Sequence, residues 1–133
     1  LSNNPKTLDL VFNLGGTYSF SGILIGNYWE NGTAPNRGIS TFGLQTSIDN
    51  GLTWSANLQT VTPAQSTGNI QYIDFGTTYT GVTNVKFNDA THFSNDGSDI
   101  VGLNEVRFTV VPEPSAALLG GLGMLVLLRR RRA

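Results

Sequence analysis

The sequence predicts an all-β body, an antiparallel jelly-roll-like β-sandwich over residues 1–109, joined to a C-terminal segment, residues 110–133, that carries a short apolar helix. Three observations carry this. Apolar residues of the body alternate with polar ones, and no stretch shows the i, i+3, i+4, i+7 spacing of an amphipathic helix over three turns. Turn-forming residues cut the body into about seven short runs, the pattern of a sandwich, of which a jelly roll is one version. The composition then changes near Val111: the seven phenylalanines, four tyrosines and two tryptophans all precede it.

The strands follow in order. Leu8, Leu10, Phe12 and Leu14 alternate with Asp9, Val11 and Asn13, as on a half-buried strand. Gly15-Gly16 marks a turn. Tyr18 to Tyr28 is a second extended run, and Phe42, Leu44, Thr46 and Ile48 form a third. Asp49-Asn50-Gly51 is a hairpin signal, because Asn-Gly accepts the positive φ of the favoured turns. Leu52 and Trp54 begin the return strand, with Trp54 expected in the core. Ile70 to Phe75, Val82 to Phe87 and Val101 to Val110 complete the set. In the last, Val106, Phe108 and Val110 share one face and Glu105, Arg107 and Thr109 the other.

Charge divides the chain in the same place. Residues 1–109 hold four basic residues against eight acids, a net of −4; the last 24 residues hold Arg129 to Arg132 against Glu113 alone, a net of +3. An acidic body lacks the basic face that nucleic acid requires, so no nucleic-acid partner is expected. The chain has no cysteine, which excludes a disulfide scaffold and a thiol nucleophile, and its single histidine excludes a cluster of histidine ligands. With only 13% charged residues, and Thr, Asn, Ser and Gly in their place, the body suits an exported β-protein. The first residue is Leu1 and no N-terminal signal peptide is visible, so the sequence reads as a fragment or a processed form.

The C-terminal segment has three parts. Pro112 and Pro114 each bias the preceding residue toward extended backbone, giving an exposed linker that a protease can bind as a strand. Ala116 to Leu128 then contains no charge and no hydroxyl. Thirteen helical residues reach about 20 Å at ~1.5 Å each, short of the ~30 Å core of a bilayer, although Arg129 can snorkel toward headgroups. The arginines would stay cytoplasmic by the positive-inside rule, placing the body outside the cytoplasm. A buried terminal helix with a solvated basic end is the competing reading.

These residues resemble the PEP-CTERM sorting signal of exported bacterial proteins: Val111-Pro112-Glu113-Pro114-Ser115, then an apolar Leu/Gly-rich run, then a terminal arginine cluster. The resemblance implies handling by exosortase, a membrane-embedded cysteine protease. Pro112, Glu113 and Pro114 would be the recognition residues, Ala116 to Leu128 the membrane segment, and Arg129, Arg130, Arg131 and Arg132 the cytoplasmic stop. It further implies a precursor anchored through its C-terminus, cleavage near Pro-Glu-Pro, a final place at the cell surface or in the extracellular matrix, and association with exopolysaccharide.

A second resemblance lies in the body. Ile23-Leu24-Ile25-Gly26-Asn27-Tyr28-Trp29-Glu30, Asn36-Arg37-Gly38, Ser47-Ile48-Asp49-Asn50-Gly51-Leu52-Thr53-Trp54 and Val101-Gly102-Leu103-Asn104-Glu105-Val106-Arg107-Phe108 are similar, in that order, to the discoidin-type domain, the C-type domain of coagulation factors five and eight. That resemblance implies a galactose-binding-like jelly roll whose opening strands and loops lie upstream of Leu1. It also implies a calcium joining an early loop to Glu105, for which one carboxylate is far from the six to eight oxygens required. A strand-face Glu105 beside Arg107 is the alternative. Ligands in that family sit on loops at one end, which makes Tyr28, Trp29, Asn36 and Arg37 the candidate glycan-binding residues, the aromatics to stack on a sugar ring and the polar groups to bond its hydroxyls. Against this, Trp29 can cover the core edge and Arg37 can pair with Glu30.

Weaker signals are read as structure. Asp89, Asn95, Asp96, Ser98 and Asp99 lack EF-hand spacing and read as turn chemistry. Asn31-Gly32-Thr33 is a bare glycosylation sequon. His92, a loop histidine near Asp89, has no Gly-x-Ser-x-Gly nucleophile elbow to serve, so no enzyme is expected. Three functions remain: a sorted surface or matrix protein with a carbohydrate-binding sandwich, a purely structural surface protein, and an accessory domain of a hydrolase lying upstream. The first is adopted for class, and the choice between the first and the second, a specific ligand or none, stays open.

Overall fold

The architecture, seen in a computed structural model that describes residues 7–30, 35–93 and 101–132, rests on two unusually long strands. β1 (Leu8–Asn27) runs through Gly15-Gly16 without a hairpin, and β4 (Gln71–His92) unites the two runs expected at Ile70–Phe75 and Val82–Phe87. Between them they pair with β2 (Ile39–Ser47) and β5 (Leu103–Val110), while β3 (Gln59–Val61) lies outside β2. The order is β3-β2-β4-β1-β5, and all four pairings are antiparallel.

Register slips explain how one sheet makes a sandwich. β1 and β4 lose register between Asn13 and Tyr18, again between Tyr18 and Phe20, and again between Phe20 and Gly22. At these places Gly15, Gly76 and Gly81 take φ of 72°, 68° and 67°. Such bulges bend a strand and sharpen its twist. The sheet therefore folds into two arms. One contains β3, β2, the second half of β4 and the first half of β1; the other contains the first half of β4, the second half of β1, and β5. With β1 and β4 counted in both arms, seven strand segments stand where seven short strands are expected. The all-β class and the short C-terminal helix agree with the sequence; the two layers come from one folded sheet.

The core lies between the arms. Phe20, Ile23, Ile25 and Phe75 from one meet Ile39, Phe42, Leu44, Val85 and Phe87 from the other, all buried. Phe42 and Phe87 stack at 3.9 Å, and Phe12 reaches across to Phe108 at 5.8 Å.

The two ends of the sandwich close differently. At the bend end, the Asn50-Gly51 turn is present with φ of 59° and 85°, the two left-handed residues the hairpin signal requires. Its return arm is held by Ser55 N–H on Thr46 O and Leu58 N–H on Leu44 O before β3 begins. Trp54 is not in the core: it is half-buried, with Lys86 Nζ 4.6 Å above its ring. At the opposite end the arms touch. Gly38 and Gly102 form a parallel bridge, Gly102 N–H donates to Arg37 O at 2.7 Å, and a Cβ on Gly102 would collide with the Tyr28 ring.

The helix α1 (Pro114–Arg131) leaves β5 after Val111–Glu113. Proline at its start and three arginines in its last turn suit the helix dipole. Leu118 to Leu128 have their large apolar side chains exposed, so the buried terminal helix is not what forms. Among the described residues no helix is long and apolar enough to cross a membrane. The charge-free stretch that was expected to be the membrane segment, Ala116 to Leu128, is too short for that by itself.

Candidate functional site

The sorting segment begins as a continuation of the sheet. Val111 N–H donates to Ser19 O at 2.7 Å, extending the β5–β1 ladder one residue past Val110. The buried Ser19 hydroxyl also donates to Glu113 Oε1 at 3.2 Å. Glu113 stands at the N-cap of α1 with extended backbone, yet its carboxylate does not cap the helix because Ser19 holds it. Pro112 and Glu113 are exposed. Pro112 and Glu113 thus lie between a folded sheet and a helix whose first residue is Pro114, with extended backbone at Glu113, as the proline after it predicts.

Beside this segment, Leu14, Tyr18, Phe20, Phe108 and Val110 line an open apolar recess of about 210 Å³. The arginines Arg129 to Arg132 close the far end of α1, and Arg132 N–H bonds Arg129 O.

The expected glycan-binding residues gather at the opposite end of the body, and most are engaged with neighbours. The Tyr28 hydroxyl donates to Glu30 Oε2 at 2.8 Å; that bond first, then partial desolvation and the carboxylate's charge, hold the phenol above the ordinary tyrosine pKa, while Arg37 pulls it down. Arg37 follows Pro35 and Asn36 in a 3-10 turn, and its Nε is buried without a hydrogen-bond partner. Asn36 Oδ1 accepts from Gln65 Nε2 at 2.7 Å. The Trp29 indole lies against Gly68, where a Cβ would stand 3.2 Å from Nε1.

None of these four lines the cavity at this end. That cavity, of about 200 Å³, is bounded by Asn27, Gln65, Ser66, Thr67, Asn69 and Gln71 with apolar Ile25, Ala64 and Ile70. Sequence reasoning passed over the Gln65–Gln71 stretch. Its signal was present in retrospect: hydroxyls and amides with no charge.

Asn27 is the residue that positions all of this. It is buried at the end of β1, and its amide donates to Ile39 O at 2.8 Å and Ala64 O at 3.1 Å. Its Oδ1 accepts from Ile39 N–H at 2.7 Å and Tyr28 N–H at 3.1 Å. Every hydrogen-bonding position of the side chain is used, and three separate segments are tied together.

The remaining candidates are placed as follows. Glu105 bonds the Arg107 guanidinium, the strand-face alternative. No group of three or more acidic or histidine side chains that could hold a metal comes together among the described residues. Of the second oxygen-rich cluster only Asp89 is described; its N–H donates to Asp9 Oδ1 at 2.9 Å. Asn95, Asp96, Ser98, Asp99 and the sequon Asn31-Gly32-Thr33 lie outside the described residues. His92 is the last residue of β4, opposite Ile39, rather than a loop residue.

An extended, proline-bounded glutamate thus stands between a strand and an apolar helix ending in arginines. The comparison with known families agrees, since the PEP-CTERM protein-sorting motif matches residues 110–132. No curated protein and no solved structure matches the chain. The sorting signal is therefore found where the sequence places it, and it supports export through exosortase.

Proposed function

We propose that the chain is a bacterial surface or matrix protein whose precursor is held at the membrane by α1 and released when an exosortase-type protease cuts near Pro112-Glu113-Pro114. The observation that carries this is the match over residues 110–132, together with the exposure of Pro112 and Glu113 and the extended backbone at Glu113, just before α1 begins. Proline has no backbone N–H and a fixed φ. A protease reading this segment as a strand therefore meets the Glu113 carboxylate and N–H between two prolines, a pattern few other segments of the chain can imitate. Arg129 to Arg132 keep the far end of the helix from following the body outward. The short apolar run suits a temporary anchor better than a permanent one, because a mismatched helix is held less firmly. The body itself is assigned no catalytic step.

The test is processing in the native host. Exchanging Pro112 and Pro114 for alanine is expected to leave full-length precursor in the membrane fraction. Normal cleavage of that variant would overturn the reading.

A carbohydrate-binding role for the opposite end is favoured by one observation: the cavity there is lined by hydroxyl and amide groups with Trp29 alongside. Its size, about 200 Å³, is below that of drug-sized pockets and fits a single sugar ring. Saturable glycan binding, weakened by Trp29→Ala and by Asn69→Ala, is expected. A flat glycan array on well-folded protein would instead favour the purely structural role.

A further inference from the structure

The end of the body that carries the tail is unlike the rest of its surface. Only Val111, Pro112 and Glu113 separate β5 from α1. At ~3.5 Å per residue this tether keeps the start of the helix within about 14 Å of Val110, and the two bonds from Ser19 hold it down. Around that point Val110 is 52% exposed and Tyr18 39%, at the mouth of the apolar recess. The β2–β3 hairpin ends on the same side, because Ser47 is opposite Asn84 and Asn84 is opposite Asn13. Its tip exposes Ile48 at 71% and Leu52 at 84%.

Charge is nearly absent here. No charged residue occurs from Leu10 to Trp29 or from Phe75 to Val85, stretches that include the bend; Lys86, just beyond, stands over the Trp54 ring of the hairpin. The acids that do adjoin it are bonded: Asp49 to Ser47 and Thr53, Asp74 to Gly76 N–H, and Glu113 to Ser19. The opposite end holds Glu30 and Arg37 instead.

We propose that this bend end is a membrane-docking face, and that while α1 is in the bilayer Leu52, Ile48, Tyr18 and Val110 rest in its interfacial layer. The proposal rests on the anchoring of the precursor by its tail. The occupant is the lipid surface because the tether leaves no room for the face to stand away from the membrane that receives the helix. A tyrosine beside aliphatic side chains suits that layer, where one end of a ring is apolar and the other wet. With no basic residue among Val110, Tyr18, Ile48 and Leu52, docking draws on apolar burial and is insensitive to salt, unlike a polybasic patch. Two consequences follow: Pro112-Glu113-Pro114 is held at the level of a membrane-embedded protease, and the cavity end points outward.

The chain has no cysteine, so single-cysteine spin labels report cleanly. The full chain, inserted in vesicles of phosphatidylethanolamine and phosphatidylglycerol, carries a label at Leu52→Cys, Val110→Cys, Leu122→Cys or Thr67→Cys. Collision with a water-soluble nickel chelate is expected to be several-fold lower at positions 52, 110 and 122 than at 67, with no change on adding salt. Adding I48E to the Val110→Cys protein, a substitution at an exposed site, is expected to return that label toward the value at 67. If position 122 is protected while 52 and 110 match 67, docking fails and the anchor stands. If 122 is also open to the chelate, the anchor itself fails and docking with it. Protection at 52 accompanied by concentration-dependent spin–spin broadening would show a second copy on the face and overturn the proposal.

Discussion

The two ends of the folded sheet are built from the same two strands, yet they are held by different physics. At the bend end, β1 and β4 turn through bulges at glycines, and the contacts are local: a two-residue hairpin turn, an acid bonded to hydroxyls two and four residues away, a ladder extended by one bond. At the cavity end the arms are closed by long-range contacts, the Gly38–Gly102 bridge among them. One buried amide, Asn27, joins β1, β2 and the segment at Ala64 across 12 and 37 residues of sequence. The tail-bearing end is therefore tolerant of local change, whereas the cavity end leans on long-range contacts, three of them hydrogen bonds of one side chain.

The largest expected effect tests what the ends share. Phe87 is fully buried and stacks on Phe42 between the arms. Phe87→Ala should cost about 3–5 kcal/mol in denaturant unfolding and loosen both ends together. Loss confined to one end would mean that the arms fold as separate units.

Next comes the clamp. Asn27→Ala leaves Ile39 N–H and C=O without their partner, and a buried orphan group costs about 1–3 kcal/mol. Amide exchange should accelerate at Ile39 and Tyr28 but not at Val111, which bonds the Ser19 carbonyl at the other end. Equal acceleration at Val111 would remove the distinction between the ends.

The hairpin gives a pH signature. Hydrogen bonds from Thr53, first its hydroxyl and then its N–H, followed by one from Ser47, lower the Asp49 pKa from 3.8 to about 2. A pKa depressed by folding contributes stability that is present above the unfolded value and lost as pH falls through the folded one. Stability should therefore decline between about pH 4 and pH 2, and Asp49→Asn should flatten that part of the decline in urea midpoints measured against pH. An unchanged acid limb would show that the Thr53 bonds do not hold in solution.

The smallest effect belongs to Ser19→Ala. It removes the hydroxyl from Glu113 but leaves the carbonyl that Val111 uses. A loss of about 1 kcal/mol or less is expected, with Val111 protection retained. A larger loss would mean that the tail is part of the folding unit.

What the sequence revealed follows the same division. The sorting motif was legible, because its three parts are contiguous and a family match needs only their order. The Asn50-Gly51 turn was legible because two positive φ values in succession are a local demand. Gly15-Gly16 misled in detail: a glycine with positive φ serves a turn or a bulge equally, and only the pairing of Tyr18 with Val82 makes it a bulge. Trp54 was expected in the core because a tryptophan after a hairpin usually finds one, but here the return arm stays outside the arms until β3. The Asn27 clamp could not be read, since it joins residues that meet only after the sheet folds; of the cavity, only the uncharged hydroxyl and amide composition of Gln65–Gln71 is visible in the sequence.

The central claim is that the tail is an address removed at the surface. Its most direct test is the intact mass of the protein recovered from the native cell surface. The expected mass lacks everything beyond the Pro112-Glu113-Pro114 region. A mass that retains Arg129 to Arg132 would contradict it and leave α1 as a permanent part of the mature protein.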